Sequence, residues 1–278
     1  MMPPLVHGIY GSAAPAFVGA YDAIPNLVHV YEIARRALTS YEGNLVRLRR
    51  ASDNAELDFG YDANGDLDTA AIATWAGGDS FIVTIYDQKS GDNVTQGTAG
   101  NQPLFVASGQ NGRAVGRYNG TSHYLQGAFS GALSQPFTVY ALAALDAAAV
   151  NDNSSRRLIQ GDDASNRMAL YQASAKSPDE WAIFAGAEIF GGVTDSNCNL
   201  WAVLFNGASS QLWINGSSEA AGNAGAENPD GITIAANFNA TLFWDGDIAA
   251  IAIADPSHDD TERGAMETAV NDYWSIIP

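Results

Sequence analysis

The sequence predicts an all-β fold, an antiparallel β-sandwich (jelly roll) carrying two or three short helices. Three observations carry that prediction. Short apolar runs recur between turn signals along most of the chain. No strand–helix–strand alternation of a parallel sheet appears. Tight-turn dipeptides join neighbouring runs: "WAVLFNGASSQLWINGS" (201–217) sets two runs around Asn206-Gly207 and closes the second with Asn215-Gly216. Asn-Gly supplies the positive-φ residues that a two-residue hairpin turn requires.

In chain order, "LVHVYEIARRALTSY" (27–41) reads as a helix. Leu27, Val30, Tyr31, Ala34, Leu38 and Tyr41 fall at helical spacing between Pro25 and Gly43. "NLVRLRR" (44–50) alternates, with Val46 and Leu48 on one face and Arg47 and Arg49 on the other. A second helix is expected over 68–76, opened by Asp68 as N-cap and stopped at Gly77-Gly78. Strands are expected over 80–86, 136–145, 181–186, 200–205, 211–216, 231–236 and 246–254. A third helix over 260–274 carries Met266, Ala269, Val270 and Tyr273 as a stripe, and Asp260 and Glu262 complement its dipole. Asn119-Gly120 after "RAVGRY" marks a further turn. Asn93, Asn119, Asn153, Asn215 and Asn239 also begin N-x-Ser/Thr triplets, and turn chemistry accounts for them.

At 278 residues, with no linker or tandem repeat, one large domain is the economical reading. The first 21 residues carry no Asp, Glu, Lys or Arg, and their prolines and glycines interrupt any helix. They lack the basic segment of a signal peptide. The expectation is an apolar arm over 1–25 that docks on a neighbouring subunit, followed by one sandwich domain over 26–278.

The formal charge of −18, with Lys89 and Lys176 the only lysines, argues against nucleic acid and anionic membrane surfaces as partners. No apolar run is long enough to span a bilayer. The single cysteine, Cys198, rules out an internal disulfide and reads as a small core residue. Arg35, Arg36, Arg47, Arg49 and Arg50 form the one basic concentration, expected to pair internally with acids such as Glu32, Asp53, Glu56 and Asp58. The four histidines are scattered, and no triad or phosphate-loop pattern is present.

"DANGDLD" (62–68) spaces Asp62, Asn64, Asp66 and Asp68 at every second position, as at the start of a calcium loop. No glutamate stands at the twelfth position, where Ala73 sits. Calcium is therefore weighed against a turn that leads into a helix cap. Of the six tryptophans, Trp201 and Trp213 lie inside apolar runs. Trp75, Trp181 and Trp244 flank turns and are candidates for stacking on a sugar.

The stretch 34–103, with "LVRLRRASDNAELD", "YDQ" at a strand end and "VTQ…NQP", resembles the amino-terminal half of the α-L-arabinofuranosidase B catalytic domain. Where that family usually reads "YDQSGNG", this chain has Lys89, Gly91 and Asp92 in a shifted loop. The later stretches "LFNGASSQLWINGS" and "FWDGDIAAIAIADPSHDDTERGAMETAVNDYW" look like a concanavalin A-like or laminin G-like domain of the kind common in phage and bacterial surface proteins. The first resemblance implies a concanavalin-like sandwich that cleaves arabinofuranosyl side chains with retention, using a carboxylate pair about 5–5.5 Å apart.

The departures bear on catalysis. The family's paired pocket cysteines have no counterpart. Its nucleophilic glutamate falls in a stretch matched to "NRMALYQA" (166–173), which holds no carboxylate. Its acid falls in "IAANFNATLFW" (234–244), which offers Asn237 and Asn239. Asp162, Asp163, Glu180 and Asp245 remain as substitutes. From these residues the sequence reads as a non-catalytic virion structural or adhesion protein, such as a lectin-like capsid decoration, head-fibre or tail-associated module of a bacteriophage. The expected partners are other virion subunits or its own copies through the arm, and a host-surface glycan. The alternative is a retaining arabinofuranosidase-like hydrolase, and a third reading is a bacterial extracellular lectin-like module. The expected ligand contacts are Asp87, Gln88, Asn93, Trp181, Asn237 and Trp244, and no residue is assigned to catalysis.

Overall fold

The computed structural model describes residues 17–277. Its first half runs β1 (Leu27–Glu32), β2 (Val46–Arg50), β3 (Glu56–Phe59), α1 (Thr69–Ala76), β4 (Ser80–Ile85), β5 (Val94–Thr95), β6 (Leu104–Val106), β7 (Val115–Asn119), β8 (Leu125–Ala128) and β9 (Phe137–Leu145). The second half runs β10 (Arg156–Gln160), β11 (Ala169–Ala173), β12 (Glu180–Phe184), β13 (Glu188–Val193), β14 (Cys198–Phe205), β15 (Ser210–Ile214), β16 (Ser217–Gly222), β17 (Gly231–Ile234), β18 (Asp245–Ala254) and α2 (Asp260–Trp274).

Every strand pairing is antiparallel, and the pairings make two layers. The first reads β13-β12-β11-β10-β17-β8-β5-β4-β2-β3. The second reads β16-β15-β14-β9-β18-β1. At one edge β7 pairs with the start of β18, β6 pairs with β7, and Phe81 of β4 meets Leu104 of β6, joining the layers. This is the antiparallel sandwich expected from the turn-punctuated runs.

One core fills the space between the layers. Trp181 from the first layer packs edge-on against Trp201 from the second at 4.9 Å, and Trp244 leans on both. All three are fully buried, so Trp181 and Trp244 present no ring face to a sugar. The expectation that they stack on a ligand is corrected: each flanks a turn in sequence, yet the register of β12 turns Trp181 inward and Trp244, just ahead of β18, is held in the core with its N donating to Ala235 O.

The helix expected over 27–41 is also corrected. Leu27–Glu32 is a strand paired with β18, and five of its six residues are buried. A strand covered on both faces reads as a continuous apolar run, and helical spacing inside such a run carries no information. β-branched and aromatic residues favour the strand. The other two helices form where expected. Asp68 accepts from Ala71 N and Gly77 ends α1 at φ 61°, while Asp259 and Glu262 build a capping box on α2.

Residues 17–25 belong to the domain rather than to an arm. Tyr21 N donates to Ala37 O at 2.9 Å, and the buried Tyr21 hydroxyl donates to Glu32. The remainder of the expected arm, residues 1–16, lies outside the described residues. The arginine cluster pairs internally as expected, through Arg35–Glu32, Arg47–Asp58 and Arg50–Asp53. Cys198 is partly buried, and burial, with Asp247 nearby, pushes its thiol up to about 12.

α2 lays Met266 and Val270 over Tyr140 and Ala252, covering the outer face of the second layer. The outer face of the first layer carries a different chemistry. Residues directly opposite one another across its strands form the row Glu188, Phe184, Ala169, Gln160, Thr233, Gln126, Thr95, Thr84, Arg47, Asp58. The adjacent row, Ile183, Leu170, Ile159 and Ile234, points into the core. Period-two alternation therefore places a mostly polar surface on one side of this sheet.

Candidate functional site

On that surface, at the β10–β13 end, lies a cavity of about 250 Å³. Its floor is Ala169, Gln160 and Phe184 from three adjacent strands. Its walls are Arg157, Arg167, Glu188 and the loop residues Asn237 and Phe238. Ala169 and Asn237 come from the two stretches that the sequence matches to the family's catalytic positions, and the fold brings them together. Neither supplies a carboxylate.

An apolar cluster on the same face shapes the floor: Ala169, Tyr171, Ala173 and Ala182, with Phe184 and Phe190 packed beside them. Three cations cap the aromatic rings. Arg157 sits 3.6 Å from the Tyr171 ring centre, Arg167 4.6 Å from that of Phe184, and Lys176 4.5 Å from that of Phe190. Arg167 is also held bidentately by Glu227 at 3.1 Å. Glu188 starts β13 and reaches back over the sheet, where its carboxylate accepts from the Tyr171 hydroxyl. It is the one carboxylate lining the cavity.

The loop between β17 and β18 forms the opposite wall. Asn237 Oδ1 accepts from Thr241 N at 2.8 Å, which fixes the side-chain amide at the rim. Ala235, Ala240 and Leu242 hold positive φ of 67°, 53° and 53°. Non-glycine residues in that region carry local strain, and such strain gathers at functional sites.

Two residues past Gln160, the Asp162 carboxyl lies over Gly231, where a Cβ would come within 2.2 Å of it. Asp162 lies near Asp230, and each keeps one buried oxygen without a hydrogen-bond partner. Burial, and then the charge of Asp230, raise Asp162 above the usual aspartate value. Of the other substitutes, Asp163 caps the turn at Ser165 and Asn166. Glu180 sits at the far end of β12, opposite Ala173. Asp245 lies on the second layer, in a separate hollow with Arg117, Asp146 and Asp247.

The "YDQ" residues are structural. Asp87 and Gln88 are buried. Gln88 accepts from Ala37 N and donates to the carbonyls of Glu32 and Arg35. Asn93 Oδ1 accepts from Asp87 N at 2.9 Å. The ligand contacts expected from Asp87, Gln88 and Asn93 are thus replaced by a buried strut that ties β1 to the loop after β4. His29, Asp87 and Ser90 do lie together, but Ser90 Oγ and Asp87 both approach His29 Nδ1. A nucleophile must face the nitrogen opposite the orienting acid, so this is no triad.

The calcium expectation at Asp62, Asn64, Asp66 and Asp68 is corrected too. Asp62 accepts from Asn64 N and Asp66 N, Asp66 accepts from the Tyr273 hydroxyl, and Asp68 caps α1. Among the described residues no group of three His, Cys, Asp or Glu is placed to hold a metal ion.

With the geometry in place, comparison with known proteins becomes informative. Residues 21–153 match the family model of the α-L-arabinofuranosidase B catalytic domain. No curated protein sequence matches the chain. Among solved structures, an arabinofuranosidase complexed with arabinofuranosyl-α-1,2-xylobiose superposes with TM-score 0.71 at 15% identity, covering 90% of this chain and 64% of that one. A mutant GH54 α-L-arabinofuranosidase soaked with 4-nitrophenyl α-L-arabinofuranoside gives TM-score 0.71 at 16% identity, with the same coverage. The chain thus spans about 64% of the length of the solved arabinofuranosidases it matches.

These matches correct two expectations. The virion placement, with its phage, capsid-decoration and lectin-like character, finds no support among them, and the reading as a non-enzyme gives way to a glycoside hydrolase reading. Every cavity residue lies beyond residue 153, outside the family match. Glu188, Arg157, Arg167, Gln160 and Phe184 were missed from sequence, because strand register alone brings them together.

Proposed function

We propose that this domain is an arabinofuranosidase-type glycoside hydrolase working with displaced carboxylates. The observation that carries the reading is the convergence of Ala169 and Asn237 on one cavity into which Glu188 is delivered from a neighbouring strand. Glu188 is two strands from Ala169, and its hydrogen bond to Tyr171, the next outward residue of β11, brings its carboxylate beside the vacated position.

Glycoside hydrolysis needs an acid for the leaving oxygen and a carboxylate for the anomeric carbon. Glu188 is the carboxylate in the cavity, and Asp162, two residues past the cavity's Gln160 and with its pKa raised by burial and by Asp230, takes the role of the acid. In the inverting route a single displacement by water suffices, with one carboxylate as base and one as acid. Water then attacks the anomeric carbon and loses its proton to Glu188. The glycosidic C–O bond breaks, and the leaving oxygen takes the proton from Asp162. Phe184 offers the sugar an apolar face, and Gln160 and Asn237 offer amides.

The test is release of 4-nitrophenol from its α-L-arabinofuranoside, with the product anomer followed by NMR. The expected result is turnover with inversion that Glu188→Gln abolishes. Sugar binding without turnover by the unmodified protein overturns the hydrolytic assignment.

A further inference from the structure

We infer that the leaving group in the proposed hydrolysis is itself a sugar, and that a second hollow, lined by His29, receives it. The inference rests on the reading of Asp162 as the acid and adds to it the class of leaving group. Asp162 stands between two depressions. On one side Gln160, two residues earlier, floors the cavity already described. On the other, Asp162 lies over Gly231, which faces Ala128 across the β17–β8 pairing. The residue after Ala128, Phe129, donates its N–H to Asp230 O at 2.7 Å, and Ser130 then lines a hollow of about 400 Å³. A glycoside with its reacting ring over Gln160 and its bridging oxygen at Asp162 therefore sends its leaving group toward Ser130.

The second hollow has the chemistry of a sugar site. His29 lines it although only 3% of the residue is exposed. Its Nδ1 lies 2.8 Å from Asp87 Oδ2. Asp87 also accepts from Val30 N, Lys89 N and Ser90 Oγ, so it acts purely as an acceptor and the ring proton on that side belongs to Nδ1. Phe129 stacks on the imidazole at 4.0 Å, which holds the ring plane. Nε2, on the opposite edge, has no hydrogen-bond partner among the described residues and stays open to the hollow. An acceptor fixed in this way is met by a ligand hydroxyl. Lys89 adds a donor, and Leu27, Val28 and Leu133 supply an apolar wall. Acceptor, donor and apolar wall together match a ring with hydroxyls on its edge and C–H groups on its face, whereas a bare aryl group leaves Nε2 unmet. The rim is already built: Asp92 accepts from Ser130 N at 2.8 Å and from Ser130 Oγ, locking the loops after β4 and β8 together.

Titration calorimetry and imidazole NMR on the whole chain test this, with xylobiose as the probe for a leaving-group sugar. The expected result is saturable binding that shifts the His29 ring resonances. His29→Asn keeps an amide N–H near the Nδ1 position for Asp87 and removes Nε2. It should weaken binding about fivefold or more, the worth of one hydrogen bond. Ala132→Trp fills the hollow from an exposed position and should abolish binding, and it serves if the first variant fails to fold. Xylobiose that does not bind, that binds without moving the His29 resonances, or whose affinity survives Ala132→Trp overturns the inference. Absence of arabinofuranoside hydrolysis with xylobiose binding at His29 intact would instead remove the hydrolase reading and leave this sugar site standing. Hydrolysis without xylobiose binding would do the reverse.

Discussion

Asp87 Oδ2 lies 2.8 Å from His29 Nδ1, and both side chains are buried. The same carboxylate accepts from Val30 N and Lys89 N at 2.9 Å each and from Ser90 Oγ at 2.5 Å. Four donors separated by almost 60 residues thus meet on two oxygens. Removing the carboxylate strands the buried His29 and Val30 N away from water, so Asp87→Ala should lower stability by about 3–5 kcal/mol. Urea denaturation measures it. A variant with unchanged midpoint would mean that the strut is dispensable and would reopen a ligand role for Asp87.

Trp244 separates core from ligand roles in the same way. It is fully buried and contacts Trp181 and Trp201. Trp244→Ala should cost about 3–5 kcal/mol, as large aromatic truncations in cores do. A sugar-stacking tryptophan would instead lose ligand affinity with the melting temperature unchanged, and thermal unfolding beside a binding assay distinguishes the two.

These two residues also show how much the sequence discloses. Eight of the 18 strands, the Asn215-Gly216 turn and two of the three helices follow from local rules, whereas Asn206 keeps an extended φ of −151° and the loop there is four residues long. The buried strand Leu27–Glu32 escapes those rules because it lacks a solvent face. The direction of Trp181 and Trp244 depends on pairing with strands distant in sequence. The cavity depends on it more strongly still: Glu188, Phe184, Ala169 and Gln160 share a face only because four strands meet in one register. Only Asn237, whose stretch the family resemblance marked, was in reach.

Glu188 gives the sharpest kinetic prediction. Glutamine at this position keeps the size and can still accept from Tyr171, but it cannot take a proton from water. Glu188→Gln should lower kcat on the order of 10³-fold or more, and the melting temperature should barely move because the side chain is exposed. Progress curves with 4-nitrophenyl α-L-arabinofuranoside provide the readout. Equal rates for the two proteins would remove Glu188 from the chemistry.

Asp162 ties activity to stability. Burial first, and the charge of Asp230 second, raise its pKa above the ordinary value of 3.8. A carboxyl that binds its proton more tightly when folded adds stability below its unfolded pKa, and that stability is lost as pH rises through the raised folded value. At neutral pH the folded protein therefore bears the cost of crowding ionised Asp162 against Asp230. Asp162→Asn removes that cost. Its melting temperature should exceed that of the unmodified protein at pH 7, and the gap should close as pH falls toward 3.8. The same substitution deletes the acid, so hydrolysis should be lost while stability is gained, a trade expected where a site holds strain for function. In the unmodified protein the rate should fall as pH rises through the Asp162 titration, because only the protonated form donates to the leaving oxygen. Melting curves from pH 3.5 to 8 decide the matter. A less stable Asp162→Asn protein at pH 7 would show that the two carboxyls share a favourable contact rather than a repulsion, and the acid would then have to be sought elsewhere on the polar face.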